Sequence, residues 1–212
     1  LKSNYLIKDE VIKFLQRDTS KYRILPLGSL ANDNRWAAFH IESIEGYHPA
    51  KLFHYNKLKD KVGWSSLGVL KMLNVKYVIS LQDFPHSDFE LVFQGNLFHK
   101  GKKQIANVYS YKYFTPRVFF VDKLRKISEN DIQFQALKES SFDPRSSSFV
   151  EHEPHEFEHS INSKVNIIHW APDKIEIDVI TPTKQFMVLS EIFYQKGWQI
   201  TSHPEWEIYP VN

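Results

Sequence analysis

A chain carrying 16 Phe, 10 Tyr and 5 Trp in 212 residues must find a dry interior for most of those rings. It has little backbone freedom with which to do so, since only 7 residues are Gly, about half the usual share of ~7%. Large rings bury the most surface per residue, so this load requires a folded domain with a substantial core. A hydrophobic share of 42% and a charged share of 25% are the balance of a folded soluble protein. The length suits one large domain or two small ones of ~100–150 residues.

Several classes are excluded. No apolar run approaches the ~18 residues of a membrane span; the strongest are Val118–Val121 and Phe186–Leu189. The absence of Cys rules out disulfides, thiolate zinc sites and thiol chemistry. A formal charge of +2 is too small to argue for a nucleic-acid partner. The chain begins at Leu1 rather than Met and closes on Tyr209-Pro210-Val211-Asn212 straight after an apolar pattern, so we expect a piece of a longer protein.

The expected architecture is α+β, with a mixed α/β part over residues 1–115 packed on an antiparallel β-sandwich over 116–212 that is incomplete. In the first part, Lys8–Arg17 reads as an amphipathic helix and Tyr22–Leu25 as a strand stopped by Pro26. Residues 27–49 read as a long structured loop. Ala50–Lys61, with Pro49 at its first turn, and Ser65–Asn74 read as helices, and Val75–Ile79 follows at once as a β-branched strand. Phe89–Phe93, Gln104–Tyr111 and Arg117–Val121 are further strands. A capping box, Ser128 with Asp131 three residues on, predicts an inserted helix over about 128–138. Beyond it Val165, Ile167 and His169 alternate with Asn166, Ile168 and Trp170, and Ile175, Ile177 and Val179 with Glu176 and Asp178. Gln185–Phe193 is a longer strand, and Trp198–Ile200 begins another.

Few motifs carry chemistry. His155-Glu156-Phe157-Glu158-His159 matches the zinc-protease pattern H-E-x-x-H, which needs a helix with an apolar far side. Pro154 before it and charges all round make it a polar connector, and no metal or other cofactor is expected. Gly63-Trp64-Ser65-Ser66-Leu67-Gly68 has phosphate-loop spacing, but Val69 and Leu70 stand where Lys and Ser or Thr are required. No Ser sits in a nucleophile elbow, and no spacing selects a triad. The most distinctive loop is Glu45–Leu52. There Tyr47, His48 and Lys51 at a helix start can bind a polar or anionic group; alternatively Gly46 serves a turn and Tyr47 packs down on it. Trp206, flanked by Glu205 and Glu207, is the ring expected to be exposed, and hence the candidate for stacking on a sugar.

The order of segments resembles the bacterial membrane protein family YfhO. The resemblance is carried by Gly46-Tyr47-His48-Pro49-Ala50-Lys51-Leu52 with Tyr55, then Leu73–Ile79, Pro116–Val121 and Phe142-Asp143-Pro144. It continues through Val188–Tyr194 into Gly197-Trp198. It implies a large extracytoplasmic region near the C-terminus of a polytopic protein whose transmembrane helices look like those of glycosyltransferases using polyprenyl-phosphate sugars. Such proteins are implicated in decorating cell-surface polymers such as teichoic acids. Two departures stand out: Gln195-Lys196 precedes Gly197-Trp198 where the family has Pro-Gly-Trp, and the family region continues with further strands and a last membrane helix. The catalytic carboxylate of such transferases lies on an early loop outside these residues, so no catalytic residue is carried over.

The resulting expectation is an accessory domain on the extracytoplasmic face of the bacterial membrane. Its partners would be the transmembrane helices of its own parent chain and a glycan or cell-surface polymer acceptor. The alternative is a stand-alone secreted module that binds carbohydrate or protein.

Overall fold

Asp9 sets the first helix. Its carboxylate accepts the Ile12 N–H at 3.0 Å, satisfying one of the open donors at a helix start, and α1 (Glu10–Leu15) buries Val11, Ile12 and Leu15. The computed structural model describes residues 7–47, 52–152, 157, 160–194 and 196–212. After α1 come β1 (Arg23–Pro26), a 3-10 turn at Gly28–Leu30, α2 (Arg35–Ala38) and β2 (Glu42–Ser43). Next are α3 (Phe53–Lys61), α4 (Leu67–Met72) and β3 (Val75–Ser80), then a long hairpin of β4 (Phe89–His99) and β5 (Lys102–Tyr111). The rest of the chain forms β6 (Val118–Phe120), β7 (Leu124–Lys126), α5 (Asn130–Lys138) and β8 (Ser148–Val150). It ends with β9 (Lys164–Ala171), β10 (Lys174–Ile180) and β11 (Met187–Leu189). The class is α+β. Among the described residues no helix is long and apolar enough to cross a membrane.

The elements fall into two units, Leu1–Leu52 with Leu73–Pro116, and Phe53–Met72 with Arg117–Asn212. The first is built on a mixed sheet in the order β2-β1-β3-β5-β4. β1 runs parallel to both β2 and β3, while β5 is antiparallel to β3 and β4. The hairpin turns at Lys100 and Gly101, both with positive φ (49° and 75°), as the two central residues of a tight turn matched to strand twist require. This turn carries β4 on to His99, well past the expected end at Phe93. On one face of the sheet, Ile24, Tyr77, Ile79, Leu97, Ala106 and Val108 meet Val11, Ile12 and Leu15 of α1, and Trp36. Each large apolar side chain buried this way contributes ~1.5–3 kcal/mol. The rings of Phe89 and Tyr111 stack at 4.8 Å, and Phe84 meets both Phe89 and Tyr109 edge-on.

Between α1 and β1, Asp18 ties the loop to β3. It accepts hydrogen bonds from Tyr77 (2.9 Å) and from the Ser20 hydroxyl (2.7 Å), and its carboxylate lies 2.6 Å from Lys76 Nζ. Lys76 also donates to the Ser20 hydroxyl at 3.0 Å and lies within 6 Å of the rings of Tyr22, Tyr77 and Phe114.

In the second unit, α4 lies so close to the chain that follows α5 that a Cβ on Gly68 would stand 2.2 Å from the Phe142 carbonyl oxygen; this helix position admits only glycine. Lys71 reaches Asp143 at 2.5 Å. The strands form three two-stranded sheets, with β6 antiparallel to β11, β9 antiparallel to β10, and β7 parallel to β8. These pairs do not by themselves define the two facing sheets of a sandwich. Four local readings are corrected. The strand expected over Gln185–Phe193 is confined to Met187–Leu189, because Ser190 and Glu191 turn aside. Ser190 donates its N–H to the Arg117 carbonyl (2.8 Å) and its hydroxyl to the Met72 carbonyl (2.6 Å), while Glu191 meets the Arg117 guanidinium (3.2 Å). No strand forms at Trp198–Ile200, where the Trp198 indole donates to the Ile192 carbonyl instead. Helix α5 starts after Glu129, whose side chain makes no capping hydrogen bond, and Ser128, the expected cap, donates instead to the Glu151 carbonyl. A bulge at Ile168 changes the expected alternation in β9. Trp170 pairs with Ile175 beside Ile167–Ile177, while His169 pairs with Glu176.

Burial opposes ionisation of Asp18, but hydrogen bonds from Lys76, Ser20 and Tyr77 outweigh it and hold the carboxyl below its usual range. A carboxyl lowered on folding contributes stability that is complete above its unfolded pKa of about 3.9 and is lost as pH falls through the lowered folded value. Asp18→Asn is therefore expected to unfold at lower urea concentration than the parent at neutral pH, by about 1–3 kcal/mol. The gap should close as pH falls through the lowered folded value, once the parent's own carboxyl is protonated. Urea unfolding curves at neutral and acid pH check this.

Candidate functional site

The loop singled out in the sequence is held by one amide side chain. Asn34 donates to the Tyr47 carbonyl (2.6 Å) and accepts the Tyr47 N–H (2.7 Å). The side chain thus pairs with that backbone much as a neighbouring strand would. A Cβ at Gly46 would lie 3.0 Å from Asn34 Oδ1, so glycine keeps this approach open. The Tyr47 ring is 66% exposed, held in place through its backbone and not packed down. His48 and Lys51, the loop's other two candidates, lie outside the described residues.

Flanking Asn34 is a buried polar network. Arg35, only 1% exposed, meets Asp9 Oδ2 at 2.6 Å, donates to the Ile7 carbonyl at 2.9 Å and also donates to the Phe98 carbonyl. The same Asp9 oxygen accepts the Phe98 N–H at 3.0 Å. Asp33 accepts the Arg35 N–H (3.1 Å), and its other oxygen lies 2.9 Å from His99 Nδ1. His99 Nε2, Arg35 Nε and Trp36 Nε1 are buried and have no hydrogen-bond partner among the described residues. A carboxylate that orients an imidazole is a catalytic arrangement when the second ring nitrogen faces a cleft. Here that nitrogen is closed to solvent, so the pair serves as a rigid base for the chain from Asp33 to Trp36.

A cleft lies in the second unit. It has a volume of about 410 Å³ and is lined by Lys59, Asp60, Lys61, Ser65, Ser66 and Lys138, with Val62 and Gly63. Helices α3 and α5 both end here, and basic residues in a last turn complement the ~−0.5 charge of a helix C-terminus. The Gly63 N–H bonds back to the Leu58 carbonyl (3.3 Å) with φ at 72°, closing α3. Ser66 donates to the Leu137 carbonyl at 2.7 Å. Lys61 lies 3.7 Å from Asp131 across an exposed surface, a pair that contributes little. The lining carries three ammonium groups and a single carboxylate. The phosphate-loop-like stretch from Gly63 thus borders a basic cleft, although its lysines come from α3 and α5.

The tryptophans part company. Trp36 is buried, Trp64 lies 5.9 Å from the Tyr55 ring, and Trp170 lies under the Arg117 guanidinium at 5.2 Å. Trp206 is 43% exposed, and His203 is stacked on its ring at 4.4 Å. His155 and His159 lie outside the described residues. Among the described residues no group of three His, Asp or Glu is placed to hold a metal ion. Sequence reasoning missed Asp33, Asn34, Arg35 and His99, because residues 66 positions apart give no spacing signal. The polar run Asp33-Asn34-Arg35 inside an aromatic loop was the only hint.

Compared with known proteins, the chain matches no family model, no curated protein and no solved structure.

Replacing Arg35 by Ala leaves the Asp9 carboxylate buried without its cation, an expected loss of about 3–5 kcal/mol in chemical denaturation. Asn34→Ala should cost only about 1 kcal/mol. It should nevertheless speed amide hydrogen exchange at Tyr47, whose N–H then loses its acceptor.

Proposed function

We propose that the chain is an extracytoplasmic accessory domain of a polytopic membrane protein of the YfhO kind, and that it holds an anionic cell-surface polymer near a membrane-embedded glycosyl-transfer site. The single observation that carries the polymer-holding part is the basic cleft lined by Lys59, Lys61 and Lys138. An open cleft with a surplus of ammonium groups attracts a phosphodiester or carboxylate chain, and its volume suits a sugar-phosphate unit rather than a large cofactor. The membrane part rests on the family resemblance. In this reading the partners are the transmembrane helices of the parent chain and the acceptor polymer. The half-buried apolar side of β9 and β10 then forms one layer of the sandwich that the family pattern implies.

A second reading, a stand-alone secreted module for carbohydrate or protein, is favoured by the exposed Tyr47 ring on its clamped loop. A ring held ready in this way loses little entropy on stacking against a sugar.

The test is retention of poly(glycerol phosphate) by the purified chain in low salt. Changing Lys59, Lys61 and Lys138 together to Glu should weaken binding by tenfold or more, roughly the effect of several screened charges. Raising the ionic strength should weaken binding by the unaltered chain in the same direction. A variant that keeps its unfolding midpoint and still binds normally would end the polymer reading. The parent reading frame tests the rest: many apolar spans of about 20 residues support the membrane assignment, and a lone secretion signal supports the second reading.

A further inference from the structure

Strand β4 is an outer strand, and the outward N–H and C=O groups of such a strand are a template for another chain. The two-residue turn makes His99 and Lys102 a hydrogen-bonded pair, so the outward positions of β4 are Phe98, Asn96, Gln94 and Val92 in succession. Two of them are covered by carboxylates of the α1 region. Asp9 accepts the Phe98 N–H at 3.0 Å, and Glu10 accepts the Asn96 N–H at 2.7 Å and the Asn96 side-chain amide at 2.7 Å. Among the described residues, no carboxylate takes the same place at Gln94. The bulge between Leu91 and Phe93 leaves Val92 without a partner on β5, and Leu91 and Val92 stand 51% and 39% exposed. Beside this open stretch lies a cleft of about 240 Å³ lined by Glu10, Lys13, Phe14, Arg17, Phe93 and Gln94. The stacked rings of Phe14 and Phe93 (4.6 Å) form its apolar wall, and Lys13 and Arg17 are exposed at its rim.

We propose that the β4 edge from Val92 to Asn96 accepts an extended acidic peptide segment of a partner protein as an added strand, with Glu10 acting as its built-in placeholder. The choice of an acidic occupant follows from what Glu10 already experiences. Hydrogen bonds from Asn96 hold its carboxyl below the usual range, and the charges of Lys103 and Lys13 act in the same direction. Glu10 is exposed and can swing away. A carboxylate from a peptide would then meet the same Asn96 donors and the same two lysines, with Arg17 close by. An apolar side chain next to it in the peptide would rest against Phe14 and Phe93. A second copy of this chain fits less well, since edge-to-edge pairing brings Lys13 and Arg17 of both copies towards one another.

The probe is a blocked five-residue peptide alternating Val and Glu, titrated into the full 212-residue chain while backbone amide resonances are followed. Glu10→Gln, which weakens the placeholder, is expected to bind about tenfold tighter than the unaltered chain, with shifts centred on Val92, Gln94 and Asn96. Lys13→Glu combined with Arg17→Glu should lose that binding, and a peptide with Gln in place of Glu should bind no variant tightly. These positions are exposed, so far-ultraviolet circular dichroism should be unchanged in each. Equal affinity of the Glu10→Gln variant and the parent would overturn the proposal. So would shifts that map away from β4, or self-association of the variant without peptide.

Discussion

The first unit depends on one buried ion pair. Asp9 and Arg35 come from segments that would otherwise be separate, and both side chains are almost wholly removed from solvent. Each makes further hydrogen bonds beyond the pair itself. Asp9 also caps α1 and takes a β4 N–H, while Arg35 takes carbonyls from Ile7 and Phe98. A charge pair removed from water is tolerable only when most of its remaining donors and acceptors are met, and here Arg35 Nε alone of the pair's atoms finds no partner among the described residues. The result fixes α1 against the outer strand and seats α2 beside it. That in turn places Asn34 where it can hold the Tyr47 loop, so the geometry of the exposed ring follows from an interaction with no ligand role of its own.

The polar devices at the β4 edge and in the loop share a principle. In both, a side chain imitates a strand: Asn34 presents an amide to Tyr47, and Asp9 and Glu10 present carboxylates to Phe98 and Asn96. A short chain segment can be positioned in this way without further sheet. The same economy explains how residues 27–47 remain ordered with only a 3-10 turn, one turn of helix and a two-residue strand.

Much of the first unit was legible in the sequence, because its signals are local. Val75–Ile79 is β-branched and continuous, β1 runs one residue further than expected to take in Pro26, and the apolar spacing within Lys8–Arg17 marks α1, although the helix is shorter than the pattern. What could not be read depends on distant partners. The extension of β4 to His99 requires the turn at Lys100 and Gly101, and the passage of Phe53–Met72 into the second unit leaves no mark in composition. The shortening of β11 is the work of Arg117, 73 positions away from Ser190, and a pattern within 185–193 cannot contain it. The candidate site shows the same division. Tyr47 was visible as a ring beside a glycine. The amide that holds it, the His99–Asp33 pair behind it and the meeting of Lys59 with Lys138 are products of folding.

The setting of Lys76 has a consequence for chemical labelling. Its amine is tied to Asp18 and Ser20 and ringed by Tyr22, Tyr77 and Phe114, whereas most of the other lysines stand in water. Amine-directed reagents, and enzymes that acetylate or methylate lysine, must open that enclosure before they reach it. A lysine that stays unlabelled while its neighbours react is therefore a chemical signature of the intact first unit, readable in a mixture without purifying the protein.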